Sequence, residues 1–274
     1  MTTTKHWTLD DIPWDAFDPA LVDADLLKVA KAAALVEFNA CDYATYLCNV
    51  FAGDSAFEEA ARIWADEEIQ HGKALGRWAA LADPTFDFDR AAERFRSHYK
   101  INLETQISRR GSRSGELISR CMVETGTSSY YAALGEAAVE PVLKSVCQHI
   151  AADELRHYKL FYTHLKKYLE REDIGTLQRL RIAIGRIAET EDDELACAYF
   201  AANADEEAPY EHERYSREYL SRAYSFYRPY HLDRAVAMMF KACGLRPQSL
   251  FFRLSQKIAW AAFELRSRRL QRAA

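Results

Sequence analysis

"EEIQH" at residues 67–71 and "DELRH" at residues 153–157 share one form: an acid, a glutamate, two unrelated residues and a histidine. An α-helix turns once every 3.6 residues, so Glu68 and His71 lie on one helix face, and so do Glu154 and His157. Reading outward from the first pair at helical spacing gives Phe57, Ala61, Trp64, Glu68, His71, Leu75 and Trp78. The second gives Leu143, Cys147, Ile150, Glu154, His157 and Phe161. Each polar pair sits in the middle of an otherwise apolar stripe. Two more stripes carry one central glutamate each: Leu117, Cys121, Glu124, Thr127, Tyr131, Leu134, and Ala34, Glu37, Cys41, Ala44, Cys48.

A carboxylate on a core-facing stripe is unstable unless something neutralises it, because burial strongly disfavours an unpaired charge. Four such carboxylates in one bundle repel one another and protonate unless cations sit between them. Two divalent ions bring four positive charges, and two neutral imidazoles complete the donor set. One Glu from each of two helices plus Glu-x-x-His from each of two others is the donor set of dinuclear carboxylate sites in four-helix bundles. The spacing therefore nominates Glu37, Glu68, His71, Glu124, Glu154 and His157 as ligands, and oxygen and nitrogen donors suit iron or manganese. The four glutamates are separated by 31, 56 and 30 residues, which suits two antiparallel helix pairs joined by a longer connection. Asp153 and Glu67 lie off the stripes, immediately before ligands. Each is either a solvated helix acid or a carboxylate that accepts a hydrogen bond from the outer nitrogen of the facing histidine.

The rest of the chain agrees with an all-α fold. Of 274 residues only ten are Gly and seven Pro, 49% are hydrophobic and 28% charged, and period-2 strand patterns are absent. The periodicity predicts helices over 22–51, 55–81, 88–108, 115–137, 139–170, 176–203, 208–226 and 247–272, with Glu140-Pro141 at the start of one of them. Residues 1–24 read as an irregular lead-in, 25–170 as a metal-binding four-helix core, and 176–274 as accessory helices of one domain. A net charge of −5 argues against a general nucleic-acid binder. No apolar run is long enough to span a membrane, and no secretory signal is visible. Six cysteines without a C-x-x-C pair read as reduced thiols of a cytoplasmic protein.

Beyond these readings, the stretch IWADEEIQHGKALGRW (63–78) resembles the Trp-x-x-Glu-Glu-x-x-His-Gly segment of the soluble acyl-[acyl carrier protein] desaturases, within the ferritin-like di-iron superfamily. The match includes Trp64, four residues before Glu68, and Gly72 after His71. IAADELRHYKLF (150–161) is similar to the same family's Ile-Ala-Ala-Asp-Glu-x-Arg-His segment. The resemblance covers roughly 30–170 and implies a ferritin-like bundle with two iron ions, manganese being possible in one or both positions. It implies an O2-dependent oxidoreductase acting on an organic substrate, an acyl chain on acyl carrier protein, with electrons from a ferredoxin-like donor and a homodimeric assembly. That family keeps a threonine beside its iron pair, which makes Thr127 a candidate for proton delivery; the plainer reading is a hydroxyl bonded to its own helix. Trp64 becomes a candidate wall beside the ligands. Aldehyde-deformylating oxygenases share the six-ligand order, and a ferritin- or rubrerythrin-like iron-binding or peroxide-scavenging protein is the alternative.

Two features lie outside the resemblance. Tyr215, Tyr219, Phe226 and Tyr230 fall near one helical face, as packing against the bundle or as a substrate-channel wall. The last helix combines Arg253, Lys257, Arg266, Arg268, Arg269 and Arg272 with Leu254, Ile258, Ala262 and Leu265. It reads as a solvated face, or as a dock for an acidic carrier protein or anionic lipid.

Overall fold

The computed structural model describes residues 6–189 and 193–273. Every regular element among them is helical. Helix α1 (Ala24–Phe38) begins at Asp23, whose carboxylate accepts the backbone N–H groups of Asp25 and Leu26. After Asn39 the chain continues as α2 (Ala40–Val50). Helix α3 (Ser55–Ala82) is capped by Asp54, which accepts from the N–H of Phe57 at 3.1 Å. A short α4 (Phe88–His98) and a non-helical connection lead to α5 (Arg113–Ala137) and α6 (Pro141–Leu169). The Glu140 carboxylate caps α6 by accepting from Val142 and Leu143 N–H, and it also accepts the indole N–H of Trp78 at 2.8 Å. Helices α7 (Thr176–Ala188), α8 (Asp193–Asn203), α9 (His212–Ser225), α10 (Pro229–Ala242) and α11 (Leu250–Ala273) complete the described chain.

Helices α1 and α3 run antiparallel: Lys31 pairs with Asp83 at 2.6 Å near one end, while Phe38 abuts Gly72 further along. Helices α5 and α6 do the same, with Thr127 beside Glu154 and Gly135 beside Cys147. Helices α8 and α9 cover α1, α7 and α10 cover α5, and α11 rests on α9 and α10. Two apolar clusters fill the bundle, one containing Leu26, Leu75, Trp78, Leu134 and Ile150, the other Leu47, Phe57, Trp64, Cys121 and Phe161. Glu37, Glu68, His71, Glu124, Glu154 and His157 form the buried polar layer between them. No helix of the described residues is long and apolar enough to cross a membrane.

Several boundaries differ from the sequence reading. The predicted helix 22–51 breaks at Asn39, whose N–H reaches back only three residues, to Val36 O at 3.1 Å. That tighter turn rotates the stripe: Glu37 and Ala44 stay buried, but Cys41 is exposed and Cys48 half-buried. The predicted helix 88–108 stops at His98 because side chains of α2 and α5 take up the following segment. Asn49 donates to Leu103 O at 2.6 Å, the Tyr43 and Tyr99 hydroxyls meet at 2.9 Å, and Ser108 donates to Glu116 at 2.8 Å. The predicted helix 176–203 is two helices, α7 and α8, separated by residues outside the described ones. Helix α10 was not anticipated; its markers are Pro229 in the first turn and Gly244, at φ +77°, just past its end.

Candidate metal centre

Helices α1, α3, α5 and α6 bring all six nominated residues to one place. Ligand atoms of Glu37, Glu68, His71 and Glu154 lie within 4.8 Å of one another, and so do those of Glu68, Glu124, Glu154 and His157. Glu68 and Glu154 belong to both groups, as carboxylates placed between two adjacent ions would. None of the six residues is more than 8% exposed.

Both imidazoles turn the same way. His71 Nδ1 points inward, 3.0 Å from Glu68, 3.4 Å from Glu154 and 3.9 Å from Glu37. Its Nε2 lies 3.0 Å from Asp153, on α6. His157 Nδ1 points inward, 3.1 Å from Glu68 and 3.6 Å from Glu124, while its Nε2 lies 2.6 Å from Glu67, on α3. Each histidine thus meets the acid that precedes the glutamate of the other motif. With Nε2–H donating to that carboxylate, the neutral ring keeps its Nδ1 lone pair facing inward. Arg156 ties the two outer acids together, reaching Asp153 at 2.6 Å and Glu67 at 3.2 Å.

The lead-in closes this side of the site. Trp7 donates its indole N–H to Asp153 at 2.7 Å and stacks on His71, the planes 2° apart. His6 Nε2 is 2.9 Å from the same carboxylate, and Gln70 holds the Trp7 carbonyl at 2.9 Å. Sequence reading did not nominate His6, Trp7 or Arg156; the available hints were an aromatic at position 7, in a stretch without periodicity, and the place of Arg156 in the Asp-Glu-x-Arg-His segment.

The fatty acid desaturase family model matches residues 39–189, more than half of the chain. The chain belongs to the fatty acid desaturase family. Five of the six clustered residues, all except Glu37, fall within the matched stretch. No curated protein matches the chain.

In this desaturase-family chain the cluster has the electrostatics of a cation site. Burial, and then the neighbouring carboxylate Glu68, push the Glu37 carboxyl well above its usual range. Burial does the same to Glu124, with Glu154 and Glu68 adding to it and His157 opposing. Burial opposes charge on both histidines, yet the surrounding carboxylates hold each well above the ordinary imidazole range. Glu68 is held low, against burial, chiefly by His157. Without cations the cluster must therefore retain protons. Both oxygens of Glu124, Oε1 of Glu154 and Nδ1 of His157 are buried with no hydrogen-bond partner. Such orphaned atoms are rare in folded proteins, and here all of them face the shared space, so the donor set fits two divalent ions.

The remaining nominated residues flank this space. Thr127 donates to Glu154 at 2.5 Å while its hydroxyl also lies 3.2 Å from the Val123 carbonyl, so both readings of it have a contact. Trp64 stands edge-on to His157, ring centres 6.5 Å apart, and its indole N–H has no partner. Tyr131, also missed as a site residue, donates its hydroxyl to Glu37.

Proposed function

We propose that this protein is a ferritin-like, O2-dependent di-iron oxidoreductase of the acyl-[acyl carrier protein] desaturase type, which desaturates or oxygenates an acyl chain. One observation carries the reading: two buried four-residue donor groups share Glu68 and Glu154 in a chain of the desaturase family. In this reading Glu37 and His71 would hold one ion and Glu124 and His157 the other, with Glu68 and Glu154 available to both. Iron bound there would supply the activation of dioxygen. Asp153 and Glu67 fix the tautomer and tilt of the two histidines, as outer carboxylates do at metal sites. The Thr127 hydroxyl, beside Glu154, is positioned to hold a proton at the edge of the site. Trp64, Ile150 and Phe161, all buried, keep bulk water away. The acyl chain arrives on a carrier protein, and a ferredoxin-like donor provides electrons.

The test is to incubate iron-loaded protein with long-chain acyl carrier protein thioesters, dioxygen, ferredoxin and a ferredoxin reductase, followed by mass spectrometry of the acyl group. Loss of two hydrogens or gain of one oxygen, absent in Glu124→Ala, is the expected result. Rapid peroxide consumption with an unchanged acyl chain would instead establish the scavenging alternative.

A further inference from the structure

Helix α11 is amphipathic in an unusual sense: its solvent face is its apolar one. Leu250 is 84% exposed, and Phe251, Leu254, Ile258 and Leu265 are each more than half exposed. Positions 250, 254, 258, 261 and 265 are three or four apart, so they form one stripe about 22 Å long at ~1.5 Å per residue. The opposite face is occupied. Phe263 packs against Tyr224 and Tyr227 of the bundle, with ring centres at 4.5 and 5.2 Å, and Phe252 against Phe240 at 5.2 Å. The exposed stripe is thus additional to the contacts that hold α11 in place.

Charge indicates what covers it. Six of the chain's 36 Lys and Arg residues, but only one of its 41 Asp and Glu, lie in α11. The helix therefore carries +5, while the rest of the chain carries −10. Arg253 and Lys257 border the stripe, and Arg268, Arg269 and Arg272 follow it on exposed positions of the last turns. The single acid, Glu264, already pairs with Arg268 at 2.8 Å. Two copies of the chain joined through this face would set +5 against +5 with no free carboxylate to relieve it. An acidic soluble protein would satisfy the arginines but not an exposed row of four large apolar side chains, Leu250, Leu254, Ile258 and Leu265. A layer of anionic headgroups over hydrocarbon satisfies both: the apolar row enters the acyl region, and the long basic side chains reach back to the phosphates.

We propose that α11 is a membrane-surface helix that lies in the interface of an anionic lipid bilayer, with Leu254, Ile258 and Leu265 inserted and Arg268, Arg269 and Arg272 on lipid phosphates. The inference is independent of any metal. The acidic remainder of the chain is repelled by the same surface, so the contact orients the protein with α11 down.

The test is co-sedimentation of the full chain with phosphatidylcholine vesicles, with and without about a third phosphatidylglycerol, at about 0.1 M salt, where screening is moderate. Binding is expected only to the anionic vesicles. Each basic residue near such a surface contributes about fivefold in partitioning, so R268Q/R269Q/R272Q should lower binding about a hundredfold. L254S/I258S/L265S should lower it at least tenfold, and both variants, altered only on exposed positions, should keep wild-type circular dichroism. Equal binding of the variants and the wild type would overturn the proposal. So would a wild type that ignores anionic vesicles, whether it is monomeric, forms a dimer abolished by L254S/I258S/L265S, or binds an acidic carrier protein in place of lipid.

Discussion

Gly72 lies where α3 packs directly against α1, one residue after His71 and beside Phe38, the neighbour of Glu37. A Cβ added there would sit 2.7 Å from Phe38 N, 2.8 Å from Phe38 Cβ and 2.9 Å from Ala34 O. Ordinary contact begins at 3.4 Å, so the nearest atom is about 0.7 Å too close, and two of the three atoms are backbone that no rotamer change can move. Gly72→Ala must therefore push α1 away from α3 by about half an ångström, and overpacking of this kind costs about 1–3 kcal/mol. Metal sites tolerate only about 0.2 Å in ligand distance. The shift separates Glu37 from His71 and Glu68, while Glu124, Glu154 and His157 on the other side keep their spacing. The expected variant is folded, less stable in urea by about 2 kcal/mol, and retains one metal ion per chain after gel filtration where the wild type retains two. Gly126→Ala is the control: the added Cβ meets nothing within 4 Å, so it should stabilise α5 slightly, by up to about 1 kcal/mol, with metal content unchanged. A Gly72→Ala protein with wild-type stability and both metals would refute this account of why the glycine follows the histidine.

Further outcomes follow from the outer carboxylates and from one ion pair. Asp153→Ala leaves the half-buried Trp7 and the buried His71 with N–H groups that have lost their acceptor; we expect a loss of about 3 kcal/mol in stability and a fall of about 10–100-fold in metal affinity by chelator competition. Asp153→Asn, which retains an acceptor, should recover part of both, and an Asp153→Ala protein with wild-type metal affinity would remove this residue from the site. Lys31 draws the Asp83 carboxyl down from 3.8 to about 2. A folded-state value below the unfolded one means stability that is fully present above about pH 4 and lost as the pH falls through about 2. The full shift corresponds to about 2.4 kcal/mol, but Asp83 is 28% exposed, so solvent screening reduces this to about 1 kcal/mol. The stability gap between wild type and Asp83→Asn should narrow by that amount between pH 5 and pH 2, and a gap independent of pH would contradict the assignment.

The long helices and the six clustered residues were legible because both rest on local periodicity. A single carboxylate interrupting an apolar stripe of helical spacing leaves a mark in the sequence wherever the partner helices lie. Cys41 shows the limit of that reading: the ladder assumes an unbroken helix, and a single tight turn at Asn39 rotates everything after it. Helix α10 was passed over because residues 235–240 are apolar without a polar interval, a run whose period does not separate helix from strand, although Pro229 and Gly244 mark its ends. The contacts of His6 and Trp7 with Asp153 join positions nearly 150 apart through a segment with no repeat, and no pattern in one sequence encodes such a pairing. The opposed arrangement of Asp153 with His71 and Glu67 with His157 was open in the sequence as one of two readings for each acid. Which of the two holds depends on the register of α3 against α6, a property of packing.

The buried layer between the two apolar clusters is proposed to hold a pair of metal ions. The most direct measurement is the iron content of the purified chain supplied with ferrous iron, together with Mössbauer spectra before and after exposure to O2. The expected result is two irons per chain, a magnetically coupled diferric signal after oxidation, and loss of both in Glu68→Ala/His157→Ala. Wild-type protein that retains neither iron nor manganese at neutral pH would contradict it.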